Sequence, residues 1–180
     1  MRQIILIFII STLFACNSSP RTNSNGVETS ELVDSTSTEL EQPVPTETQT
    51  ELNPEIAVDF INSYIENANK IREAVEIREW VKSSELVTDN FKTELVNMIT
   101  EAFKSEPEYG LGFDPILDAQ DYPEEGFLLS SYDSTSNIAT VAGKQWTAFV
   151  LNIKLTNQNG QTLVDGCGVV NISEELRAER

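Results

Sequence analysis

The hydrophobic period changes once along this chain, and that change limits the fold more than any other feature. Up to about residue 106 the apolar side chains recur at helical spacing, and from residue 126 onward they alternate. In "PEIAVDFINSYIENANK" Ile56, Phe60, Ile61, Tyr64, Ile65 and Ala68 share one face, with Asn53 as the cap and Pro54 at the first helical position. "IREAVEIREWV" continues or restarts a helix through Ile71, Ala74, Val75 and Trp80. "SSELVTDNFKTELVNMITEAFKSEP" forms a third stripe through Leu86, Val87, Phe91, Leu95, Met98, Ile99, Ala102 and Phe103, which "EPEYGLG" ends.

The second half reads as strands. "GFLLSSYD", "NIATVAG", "WTAFVLNIKLT" and "LVDGCGVVNI" are short, rich in Val, Ile, Phe and Thr, and separated by turn residues. Thr147, Phe149, Leu151, Ile153 and Leu155 form one face of the third, with Asn152, Lys154 and Thr156 opposite. "NQNG" predicts a hairpin turn, because Asn159-Gly160 suits positive φ. Val164, Gly166, Gly168, Val170 and Ile172 would share a face of the fourth strand, where the paired glycines would admit a closely packed helix. Helices followed by an antiparallel meander give an α+β class: N-terminal helices packed on a curved antiparallel sheet of about four strands.

Composition narrows the chemistry. The chain has 180 residues, a formal net charge of −17 and no histidine. Lack of histidine removes the commonest general base and metal ligand, and every Ser-His or Cys-His nucleophile arrangement. The acidity argues against nucleic acid, which needs clustered Lys and Arg, and against a polybasic membrane patch. It gives weak support to a basic partner.

The N-terminus reads as an address. "MRQIILIFIISTLFAC" has a basic start, an apolar run from Ile4 to Phe14 and a small residue before Cys16, a pattern too short for a spanning helix. "LFAC" resembles the lipobox of bacterial lipoproteins, which implies a signal peptide over residues 1–15 and lipidation of Cys16. Residues 16–53 are Ser, Thr, Asn, Glu and Pro with few large apolar side chains, and are expected to form a disordered tether. Its root-mean-square reach is about 35 Å. "DST" at Asp34–Thr36 and Asp133–Thr135 resembles an O-glycosylation acceptor of Bacteroidetes-type bacteria. A membrane partner through the Cys16 anchor follows, with outer-membrane attachment facing the periplasm as the default. With Cys16 taken by lipid, no second cysteine is left to form a disulfide with Cys167, which is expected as a small, buried core residue. A single domain is expected over residues 54–180.

"FDPILDAQDYP", residues 113–123, is the stretch densest in chemistry. Asp114-Pro115 is a helix-start signature, and Pro123 ends any helix before Tyr122. If the helix persisted, Asp114, Asp118 and Asp121 would share a face. The candidates for bracing the structure or lining a pocket are Asp114, Asp118, Gln120, Asp121 and Trp146. The spacing matches no calcium loop, and no metal or cofactor is expected.

The order of three helices then four strands, "FINSYI" on the first helix and "DPILDAQDYP" before the first long strand are together similar to a family of small bacterial secreted proteins and lipoproteins. That resemblance covers about residues 54–172 and implies a cystatin-like, nuclear-transport-factor-two-like cone in the cell envelope, but supplies no reaction. Two functions stand open. One is a non-catalytic binding or accessory lipoprotein engaging an envelope protein, a basic protein or a small ligand; immunity against a secreted toxin is a special case of it. The other is a cone-fold enzyme in which Asp114 or Asp121 acts as base in an apolar pocket, with Tyr122 or Tyr132 stabilising an oxyanion.

Overall fold

Alternation on the strands and helical stripes on the first half require one shared interior, and a computed structural model shows how they make it. The structure describes residues 51–178. Three α-helices, α1 (Glu55–Ala68), α2 (Ile77–Ser83) and α3 (Asp89–Ser105), precede four strands, β1 (Phe127–Asp133), β2 (Ile138–Gly143), β3 (Val150–Gln158) and β4 (Gln161–Cys167). The strands form one open antiparallel sheet in the order β1-β2-β3-β4. The signal segment, Cys16, most of the tether and the first DST lie outside the described residues. The second DST lies at the exposed β1–β2 turn, where Asp133 accepts from the Thr135 N–H and the Ser136 hydroxyl. Among the described residues no helix is long and apolar enough to cross a membrane.

The inner face of the sheet follows from register. Val141 pairs with Leu151, Ala139 with Ile153, Leu155 with Val164 and Ile153 with Cys167, and all of these are buried. Cross-strand pairs of this kind stabilise a sheet, and their shared face receives the helices. Phe60 of α1 packs edge-on against Phe91 of α3 at 5.6 Å between centroids, and Trp80 of α2 covers Phe60 at 5.9 Å and Tyr64 at 4.9 Å. The Asn159-Gly160 turn has the expected positive φ, 53° and 83°.

Three local readings are resolved or corrected. Of the two expectations for the segment after α1, the helix restarts rather than continues: Ile71–Glu73 is one 3-10 turn, Ala74 is extended, and α2 starts at Ile77. The cause is Asn67, whose side chain donates to Val75 O (2.8 Å) and accepts from Val75 N (2.9 Å), holding the loop against the end of α1. Ile71 is accordingly 80% exposed rather than in the core. β3 starts at Val150, which leaves Thr147 before the strand and exposed. β4 ends at Cys167, because the chain reverses there through Gly168, with Cys167 and Val170 exchanging both backbone hydrogen bonds. The register shift at Lys154/Leu155 also turns Cys167 inward, and Val170 and Ile172, buried as expected, lie beyond the end of the strand. The glycines admit close approach by a loop rather than by a helix: a Cβ on Gly168 would lie 2.3 Å from Pro115 O.

Two polar side chains pin the helices to the sheet. Thr88 caps α3 by accepting from Phe91 N (3.0 Å), and its hydroxyl donates to Asp165 of β4 (2.8 Å). Asn62 of α1 clamps Phe127 at the start of β1, accepting from its N–H (2.7 Å) and donating to its carbonyl (3.1 Å). Asn62→Ala is expected to cost about 1–3 kcal/mol, two hydrogen bonds at roughly 0.5–1.5 kcal/mol each. Urea unfolding reads this directly, and a variant within 0.5 kcal/mol of wild type rules the clamp out as a stabilising device.

Candidate functional site

Asp114 is the hub of the 113–123 stretch, and its surroundings are not those of a helix. Residues 115–118 form turns, Asp118 has a left-handed φ of 52°, and the Asp114 N–H donates to Ala119 O at 2.9 Å. The short helix expected after Asp114 is therefore absent, and Asp114, Asp118 and Asp121 share no helical face. The capping chemistry survives inside the turn: Asp114 Oδ1 accepts from Ile116 N (2.9 Å) and Leu117 N (3.0 Å). Its other oxygen, Oδ2, accepts a hydrogen bond from the Tyr64 hydroxyl.

Tyr64 is the residue that sequence reasoning missed. Its place on the buried stripe of α1 made it a core residue, which it is, at 4% exposure. Only the fold brings its hydroxyl to a carboxylate fifty positions away. Burial, and then the charge and hydrogen bond of Asp114, drive the Tyr64 phenol far above its ordinary pKa, so it stays a neutral donor. Burial also holds the Asp114 carboxyl above the usual range, while the bonds from Tyr64, Leu117 and Ile116 pull it down.

Beside this pair lies a cleft of about 360 Å³. α2 contributes Ile77, preceded by Glu76; α3 contributes Ile99 and Phe103; the following loop contributes Tyr109, Leu111 and Phe113. Glu76 is ion-paired with Arg78 at 2.8 Å. Gly110 and Gly112, at φ 58° and 70°, shape that loop, and the Phe103 ring lies against Gly110.

The remaining sequence candidates fall elsewhere. Gln120 donates to Gly112 O at 2.9 Å. Gln120, Asp121 and Trp146 line a second depression of about 490 Å³, where Trp146 meets Phe149 edge-on at 5.0 Å. The acids of the stretch are thus divided, with Asp114 at the first cleft and Asp121 at the second. Tyr122 lies against Asn69 (3.3 Å) and Tyr132 against Asn137 (3.4 Å), and neither lines the Asp114 cleft. Both phenols are raised, chiefly by desolvation. Cys167 is fully buried and its thiol donates to Ile116 O at 3.3 Å. No group of three or more His, Cys, Asp or Glu is placed to hold a metal among the described residues.

No known protein family matches the sequence, and searches of curated proteins and of solved structures found no significant match. The functional reading therefore rests on the residues themselves.

Proposed function

We propose that this chain is a lipid-anchored bacterial envelope lipoprotein whose domain is a non-catalytic binding or accessory module, tethered through Cys16 at the outer membrane facing the periplasm. The observation that carries the binding reading is the Asp114 cleft: it is open and lined with apolar and aromatic side chains, while Asp114, the half-buried acid at its wall, already accepts three hydrogen bonds. A general base must offer a lone pair to the substrate's proton. Asp114 has three of its roughly four acceptor sites taken, two on Oδ1 by backbone N–H groups and one on Oδ2 by Tyr64. That arrangement braces a cleft wall and weakens the reading of Asp114 as a base. Apolar pockets with a few fixed polar groups are the usual form of a ligand site.

The cone expected from the family resemblance fits the packing of α1 and α3 against a four-stranded antiparallel sheet, with α2 against α3. The leader resemblance at Leu13-Phe14-Ala15-Cys16 supports the anchor. Expression in a lipoprotein-processing bacterium with labelled palmitate tests the reading. The chain should take up label and fractionate with the envelope, and Cys16→Ser should lose both. An unlabelled, freely soluble wild-type chain would overturn it. Affinity capture from detergent-solubilised envelopes tests the binding role, and repeated failure to retain a specific partner or ligand counts against it.

A further inference from the structure

We infer that the Asp114 cleft is a docking site for a basic segment of a partner protein, one that presents an arginine or lysine beside an apolar side chain. The inference rests on the binding-module reading above and names the chemistry of its partner.

The first observation is where exposed apolar surface collects. Tyr109 is 76% exposed, Phe103 46% and Phe113 38%, and all three stand on this one cleft. Large exposed aromatic groups gathered on a concave surface mark an interaction site, whereas scattered ones need no explanation. Aromatic faces also attract cations, and arginine stacks on them most readily.

Charge selects the occupant. No Lys or Arg lines the cleft itself, whose acids are Asp114 and Glu76, and the cation nearest them is Arg78, paired with Glu76 at 2.8 Å. Glu106 and Glu108, on the segment that carries Tyr109, stand in no ion pair among the described residues. A cation there needs no free lone pair on Asp114, because attraction through space suffices at short range in a partly desolvated cleft. Other occupants are disfavoured by the same charges. A second copy would bring another −17 to the surface. The chain's own tether is acidic too, with Glu28, Glu31, Asp34, Glu39, Glu41, Glu47 and Glu51 against Arg21 alone.

The test uses the full-length chain, labelled with nitrogen-15, and a synthetic probe, acetylated phenylalanyl-arginine amide, with its neutral citrulline counterpart as control. Titration followed by amide shifts should move Tyr64, Ile77, Leu111 and Phe113. The citrulline probe should bind at least tenfold more weakly, and added salt should weaken the arginine probe. Tyr109→Ala should weaken binding at least fivefold without shifting the unfolding midpoint, since its ring is exposed. Equal affinity of the two probes overturns the cationic class, and so does the absence of any shift at saturating peptide. Shifts confined to another face overturn the cleft assignment and leave the accessory reading standing. Concentration-dependent self-association that Tyr109→Ala abolishes makes the occupant a second copy and also overturns the inference. Loss of the palmitate result removes the lipoprotein reading and leaves the cleft result untouched.

Discussion

Replacing Gly168 by alanine is expected to cost roughly 2–5 kcal/mol, which would make one added methyl group among the most damaging changes in the domain. Two independent penalties add. Gly168 has φ 59°, a left-handed conformation that costs an ordinary L-residue roughly 1–2 kcal/mol. The new Cβ would also lie 2.3 Å from Pro115 O and 2.4 Å from Ile116 O. Those atoms are backbone, so relief requires the 114–119 turn to withdraw, and overpacking of this kind costs roughly 1–3 kcal/mol. Withdrawal would strain the bonds that join the two segments, Val169 N to Pro115 O at 3.0 Å and the Cys167 thiol to Ile116 O at 3.3 Å. Gly160→Ala separates the penalties, because Gly160 has φ 83° with no atom near its Cβ position and should show the conformational cost alone. Denaturant unfolding gives both values, and thiol labelling of Cys167 should quicken only in the Gly168 variant. Equal losses at the two glycines would show that the turn yields freely and that the close approach is not a constraint.

That contact also explains where the sequence stopped being legible. The class, the three helices and the four strands could be read, because apolar periodicity reports which side of an element is buried whatever it is buried against. Asn159-Gly160 could be read because its demand on φ is local. Asp114-Pro115 announces the cap but not the turn that stands where a helix is expected. The capping bonds to Ile116 and Leu117 are local, but the chain after them closes on Ala119 and packs against Gly168, fifty positions on. A tertiary contact overrode a local signal. The same distance hid Tyr64: a tyrosine on an apolar stripe looks like core, and nothing in its neighbourhood announces a carboxylate. Asn62, Asn67 and Thr88 were invisible for a related reason, since each bonds to a backbone or side chain that only folding delivers.

Asp114→Ala is expected to destabilise the domain by about 2–4 kcal/mol, because it leaves the Tyr64 hydroxyl and two backbone N–H groups without their acceptor. Asp114→Asn should cost less, since an amide oxygen can still accept from Ile116 and Leu117 while its NH₂ faces the Tyr64 oxygen. The asparagine variant then exposes a pH signature. Burial raises the folded Asp114 pKa above its unfolded value, so between the two the folded state holds the proton that the unfolded state has lost. Its contribution to stability is complete below the ordinary aspartate range, near pH 4, and is lost as pH rises through the folded value. The other carboxylates titrate equally in both proteins, so the wild-type minus Asp114→Asn difference isolates this one group. Measured by urea unfolding, that difference should favour wild type most at low pH and shrink as pH rises. A difference that stays flat with pH, or grows, would mean that the Tyr64 and backbone bonds outweigh burial. Asp114 would then be a stabilised anion, more strongly charged toward the cleft than its burial alone allows.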